Sequence, residues 1–244
     1  MQDRTAWLKG GESQCKTAPQ NSARPKRLVL LGAPGIGKGT QAQLLREHFG
    51  ACHLSTGDVF RAVKCGDPLE KGSAMDRALE FMRRGDLVPD EIVLDMIGER
   101  VRCLRCQGGF LLDGFPRTIA QAESLARILN EQNVSLDAVL SYELPLDQVV
   151  SRLSGRRTCP DCKATFHLTA LPPRVEGICD HCGGKLFQRE DDRPEAIRVR
   201  LQAYENATAP LINFYAQKNL LVVIPAGDSP EDTFQRTLAA LNAK

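Results

Sequence analysis

Gly32-Ala33-Pro34-Gly35-Ile36-Gly37-Lys38-Gly39-Thr40 follows directly on the apolar run Leu28-Val29-Leu30-Leu31 and leads into the helical pattern Gln41-Ala42-Gln43-Leu44-Leu45. A strand, a glycine loop carrying a lysine, and then a helix make a phosphate-binding turn. Glycines let the backbone wrap with its N–H groups inward. The helix N-terminus adds partial positive charge, and Lys38 supplies a mobile full charge. Gly35, Ile36, Gly37, Lys38, Gly39 and Thr40 are therefore candidates for holding the phosphates of a nucleoside triphosphate. One detail departs from the general P-loop pattern: Gly39 follows the lysine, and the hydroxyl comes one place later at Thr40.

Apolar β-rich runs recur at residues 27–31, 109–112, 138–142 and 220–224, with a short strand at 52–54. Amphipathic patterns at 40–49, 69–83, 90–101, 119–130, 146–153, 193–217 and 230–242 alternate with them. That alternation predicts an α/β fold, a P-loop NTPase-like parallel sheet flanked by helices. Ligands in such folds sit beyond the carboxyl ends of the strands. The core is expected over residues 27–54, 89–156 and 189–244, interrupted by a helical insertion at 55–88 and a Cys-, Pro- and Gly-rich one at 157–188. Residues 1–26 are polar and mixed in charge, which predicts a disordered extension outside the 27–244 domain. With 244 residues and a net charge of +2, the composition gives no bulk attraction to nucleic acid or membrane. No apolar run approaches the roughly 18 residues needed to cross a bilayer. A cytoplasmic monomer handling small molecules is the expectation.

Cys159-x-x-Cys162 and Cys179-x-x-Cys182 lie within the second insertion. Each pair forms a knuckle with two thiolates, and two knuckles complete a tetrahedral Zn²⁺ shell. Two disulfides are the alternative, and adjacent pairs of this spacing favour metal. Four protein ligands close the shell, so the zinc would be structural. Phe166, Pro172, Pro173, Val175 and Ile178 are too few to form a core, so the metal would supply folding energy. Cys103-x-x-Cys106 has no partner pair and reads as two incidental thiols; no histidine stands near a motif.

Taken with residues 32–40, the runs Ser55-Thr56-Gly57-Asp58, Phe110-Leu111-Leu112-Asp113-Gly114-Phe115-Pro116-Arg117-Thr118, Gly155-Arg156-Arg157 and Asp191-Asp192 closely resemble the adenylate kinase family in order and spacing. The resemblance covers nearly everything but the N-terminal tail. It implies the reaction ATP + AMP ⇌ 2 ADP, with a helical nucleoside monophosphate (NMP)-binding insertion and a small zinc-binding lid. Such a transfer leaves little covalent work to the protein; charge must be neutralised and two phosphates held in line. The acceptor is already an anionic oxygen, so no general base is needed.

By that resemblance Lys38 holds the β- and γ-phosphates, and Asp113 orients Mg²⁺ and its waters. Arg61 and Arg117 match residues on the AMP phosphate, and Arg156 a contact on the ATP phosphates. Arg152 matches an arginine lying against the ATP adenine. Arg189 and Arg200 match arginines that swing in with the lid, and Asp191-Asp192 the acids that pair with them. Around the AMP base the family places Thr56, Asp86, Leu87, Val88 and Gln121, with Gly114, Phe115 and Pro116 bringing the backbone close. Thr165, Phe166 and Ser229 match positions lining the ATP base. A glutamine amide both donates and accepts, which suits reading one adenine edge. Two rivals compete with this reading: another nucleoside monophosphate kinase taking UMP, CMP or GMP, and a zinc-ribbon nucleic-acid binder on an NTPase-like core. The ribbon lacks the basic, aromatic-studded face the latter requires.

Overall fold

A computed structural model describes residues 26–57, 72–84, 88–98, 109–162, 164–227 and 229–244. Five parallel strands stand in the order β2-β3-β1-β4-β7: β1 (Lys26–Leu31), β2 (Cys52–Ser55), β3 (Gly109–Asp113), β4 (Ala138–Glu143) and β7 (Leu221–Pro225). β1 starts at Lys26, one residue inside the stretch expected to be disordered. The strands are apolar on both sides because helices cover both faces. Successive side chains point to opposite faces. Val29, Leu31, Phe110 and Leu112 therefore enter one core cluster, while Leu28, Leu30, Leu111 and Leu140 enter the other.

The first cluster is covered by α2 (Ala74–Arg84), α3 (Asp90–Gly98), α4 (Ile119–Glu131) and α7 (Pro210–Gln217). The second lies under α1 (Lys38–Phe49) and α8 (Pro230–Asn242). α5 (Leu146–Ser154) and α6 (Pro194–Ala203) pack together through Val149, Leu153 and Ile197. Parallel strands bring the loops after β1, β2, β3 and β7 to one edge of the sheet, and the glycine loop, Thr56, Asp113 to Arg117 and Ser229 lie there.

The helix expected over 193–217 is broken. α6 ends at Ala203, a π-helical turn spans Tyr204–Thr208, and α7 resumes at Pro210. Proline has no N–H to donate and its ring crowds the preceding turn, so an uninterrupted α-helix cannot pass through Pro210. The wider turn, with Ala209 N–H donating to Tyr204 O at 2.9 Å, absorbs the conflict.

The cysteine insertion holds a two-stranded antiparallel hairpin, β5 (Arg156–Thr158) and β6 (Thr165–His167). Its three-residue strands are too short to leave a periodic signal. A 3-10 turn, Glu190–Asp192, returns the chain to α6.

Candidate active site

Lys38 opens α1 directly after Gly37, which sits at φ 102° where a side chain would be strained. The Lys38 ammonium curls back under the loop and donates to Gly32 O at 2.6 Å and Ala33 O at 2.9 Å. Gly35 is required for space: a Cβ there would lie 2.4 Å from Leu153 Cγ on α5. Ile36 is buried in the core beneath the loop, whereas Gly39 and Thr40 face outward on the first helical turn. Asp113 ends β3 beside this turn, its Oδ2 3.9 Å from where a Gly39 Cβ would stand. A carboxylate next to a phosphate cradle suits a hard, oxygen-binding cation such as Mg²⁺.

Desolvation under the loop pushes the Lys38 ammonium down to about 8; Asp113 draws it back up, and Arg117, Arg200 and Arg156 press it further down. Three guanidiniums from β3's following loop, α6 and the lid strand therefore act on one lysine. Polyphosphate binding favours the protonated amine, so ATP affinity should be flat below pH 8. Above it, affinity should weaken by up to about tenfold per pH unit until the raised bound-state value is reached. Titration calorimetry between pH 7 and 9.5 reads this directly, and an affinity unchanged across that range contradicts it.

Arg156, on β5, binds Asp192 through two bonds, Nε to Oδ2 at 2.7 Å and Nη2 to Oδ1 at 2.5 Å. Asp192 has no solvent exposure, and Arg200 adds a contact to its Oδ1 at 3.3 Å and to Asp191 Oδ2 at 3.1 Å. The two acids hold both arginines through these contacts. Arg189 Nε donates to Thr158 Oγ1 at 2.9 Å, which ties it to the same lid strand.

On the acceptor side, Thr56 Oγ1 donates to Gly114 O at 3.1 Å, and Arg117 Nε donates to the same carbonyl at 2.8 Å. Gly114 has φ 82°, and a Cβ there would come 2.6 Å from Thr56 Oγ1. Phe115 and Pro116 are buried behind the turn, so their contribution is to shape its backbone. Val88 is half-buried against the core, and Gln121 lies within hydrogen-bond reach of Arg117 N–H. Arg61, Asp86 and Leu87 lie outside the described residues, as do Cys103 and Cys106.

On the donor side, Arg152 on α5 spans from Ile36 O at 3.5 Å to Gly227 O at 3.0 Å, joining the phosphate loop to the loop after β7. Ser229 spends its hydroxyl capping α8, accepting from Asp232 N–H at 3.0 Å. Thr165 is exposed. Phe166 is buried in the lid's own small core with Cys159, Cys179 and Leu186.

The Sγ atoms of Cys159, Cys162, Cys179 and Cys182 lie within 4.8 Å of one another. Sulfur pairs at 3.4 Å and 3.5 Å are too long for disulfides and near the roughly 3.8 Å edge of a tetrahedron with zinc–sulfur bonds of about 2.3 Å. Burial and its sulfur neighbours push the Cys162 thiol up to about 12. Four sulfur ligands this close could share one metal ion, and this donor set fits Zn²⁺.

A family model described as adenylate kinase matches residues 30–220. The chain belongs to the adenylate kinase family. It is 49% identical to the adenylate kinase of Caldicellulosiruptor bescii over 216 residues, 88% of this chain and 98% of that one. It is also 50% identical to the adenylate kinase of Acidothermus cellulolyticus over 216 residues, 88% and 97% of the two chains. As a member of this family the chain is an enzyme, a nucleotide-binding phosphotransferase, and the family's reaction is ATP + AMP ⇌ 2 ADP.

Three residues at this site carried no motif signal. His53, on β2, was expected to stand clear of the motifs, yet its Nε2 lies 3.7 Å from Asp113 Oδ2. The β2–β3 register, which sets His53 against Leu111 and Ser55 against Asp113, brings it there, and that register could not be read from the sequence. Thr208 donates to the Arg117 carbonyl at 3.1 Å across 91 positions of sequence, and the π turn that aims it could not be read from periodicity. Asp90 accepts from Gln121 Nε2 and Thr118 Oγ1.

Proposed function

We propose that this chain runs ATP + AMP ⇌ 2 ADP at the Lys38 loop, with ATP and AMP entering from opposite sides and their phosphates meeting under the arginines. The glycine cradle closed over Lys38 carries the reading, and the positive charge of Arg117, Arg156 and Arg200 acting on that lysine supports it. Planar guanidiniums grip phosphate oxygens bidentately, and several around one lysine suit two abutting polyphosphates better than one nucleotide. Lys38 and the loop amides hold the ATP phosphates, Arg156 reaches them from the lid, and Arg117 holds the AMP phosphate. Arg200, Arg189 and Arg61 complete the cage. Bound Mg²⁺ would supply charge neutralisation on the phosphates, and Asp113 is the residue that would hold it. No side chain takes the acceptor's proton, since a phosphate oxygen at neutral pH is already the nucleophile.

Thr56, Val88 and Gln121 surround the AMP base in this reading, with Asp86 and Leu87, and Arg152, Thr165, Phe166 and the loop at Ser229 serve the ATP base. The lid closes over ATP and the 55–88 insertion over AMP, excluding water from the transferring group. Zn²⁺ on the four cysteines stiffens the lid and takes no part in the chemistry. The chain acts as a monomer in this reading. A thiol cluster suited to metal supports a reducing, cytoplasmic setting, and the partners are ATP, AMP and ADP alone. No helix among the described residues is long and apolar enough to cross a membrane. Coupled assays with ATP and each of AMP, GMP, UMP and CMP test the acceptor: turnover should be largest with AMP, and turnover confined to another acceptor overturns the reading.

A further inference from the structure

Gln121 lies in the first turn of α4, 6% exposed, and its amide is held at both ends. Oε1 accepts from the backbone N–H of Arg117 at 2.8 Å, and Nε2 donates to Asp90 Oδ1 at 2.5 Å. Asp90 comes from a separate segment, the start of α3. Its Oδ2 accepts from Thr118 Oγ1 at 3.3 Å, and that hydroxyl in turn accepts from Gln121 N–H at 3.1 Å.

A backbone N–H can only donate and a carboxylate can only accept. Turning the Gln121 amide over would set its NH₂ against the Arg117 N–H and its carbonyl against the Asp90 carboxylate. The orientation is therefore dictated by chemistry. Each partner uses one bond at its end, and a primary amide retains a second N–H and a second lone pair. With the outer N–H and lone pair taken by these partners, the remaining two would lie side by side in the amide plane as a donor and an acceptor in fixed order.

We propose that Asp90 is a specificity-determining residue for the acceptor: by locking the Gln121 amide it makes the site read adenine and reject oxopurines. The proposal rests on the reading of Gln121 as the residue facing the AMP base. Adenine presents an amino donor beside a ring-nitrogen acceptor. Hypoxanthine and guanine present a carbonyl acceptor beside a ring N–H donor, the reverse order. A glutamine free to turn over serves either order. A locked one serves one order only, and the wrong base leaves desolvated polar groups facing like partners.

Initial rates with AMP and with inosine monophosphate at saturating ATP test this in the full chain, comparing Asp90→Asn, Asp90→Glu and Gln121→Ala with the parent. Asparagine keeps the size but can accept or donate, so it tolerates the amide in either orientation. The charge-assisted bond at this end is the stronger of the two locks, so its loss should shrink the AMP-over-inosine ratio of kcat/KM on the order of tenfold. The KM for ATP should stay constant and Tm should barely move. Asp90→Glu, still an obligate acceptor, should retain most of the ratio. A ratio unchanged in Asp90→Asn, or AMP and inosine efficiencies falling in step, reduces Asp90 to a brace between α3 and α4 and overturns the proposal. Gln121→Ala separates the two levels. An unchanged KM for AMP there removes the base reading and the proposal with it, whereas a raised KM beside an unmoved Asp90→Asn ratio removes the proposal alone.

Discussion

Replacing Arg156 by alanine is expected to lower kcat on the order of 10³-fold and to destabilise the fold by about 3 kcal/mol. The rate effect follows from the role proposed for its guanidinium, one of three whose charge acts on Lys38, in neutralising charge on the transferring phosphoryl group. The stability effect follows from Asp192, which has no solvent exposure and binds Arg156 through both oxygens. Without Arg156 the buried carboxylate keeps only the Arg200 contact at 3.3 Å. The two effects separate in the Arg156→Ala, Asp192→Ala double variant, in which the uncompensated charge is gone. Tm should recover most of its loss while kcat stays low. Arg156→Lys should rescue little, because an ammonium cannot make the two-bond grip. A single-variant kcat within tenfold of the parent, measured by coupled assay at saturating ATP and AMP, would remove Arg156 from the transfer step.

Stripping the metal from the lid should lower Tm by on the order of 10 °C, the shift expected for losing about 3 kcal/mol of linked binding energy from a chain of this size. Among the described residues the lid's apolar core consists of Phe166 and Leu186 with Ala164, Cys159, Cys162 and Cys179. Beyond the paired backbone bonds of Thr158 with Phe187, a cation shared by the four cysteines would be the main link between the knuckles. Activity measured well below the new Tm should be mostly retained, since no ligand position is open for chemistry. Metal analysis should return one zinc per chain, lost in Cys162→Ser. A chelated, zinc-free preparation with unchanged Tm would reject the brace, and a collapse of low-temperature activity with intact folding would show that the metal does more than stiffen.

The sheet was legible because each buried parallel strand reads as a short apolar run bounded by turn residues, and all five strands fall within one or two positions of expectation. The cradle was legible for a related reason: Gly35 and Gly37 are forced by space and backbone angle, so the motif is a direct statement of geometry. Long-range polar contacts were the weak point. Asp191-Asp192 could be assigned to arginines only through the resemblance, and Asp90, His53 and Thr208 not at all. Each meets its partner from a different element, and a single side chain leaves no periodicity to detect. The π turn failed for a comparable reason. Both flanking segments are good helix, and only Pro210 hinted that the helix had to widen ahead of it.

A crystal structure with a bisubstrate analogue, two adenosines joined through their phosphates, tests most directly whether one polyphosphate pair draws the scattered charges together. Lys38, Arg117, Arg156, Arg189 and Arg200, with Arg61, should then lie within hydrogen-bond distance of the bridging phosphates, with the lid folded over the ATP half. Arginines left on Asp191 and Asp192 and out of reach of the ligand would contradict the account.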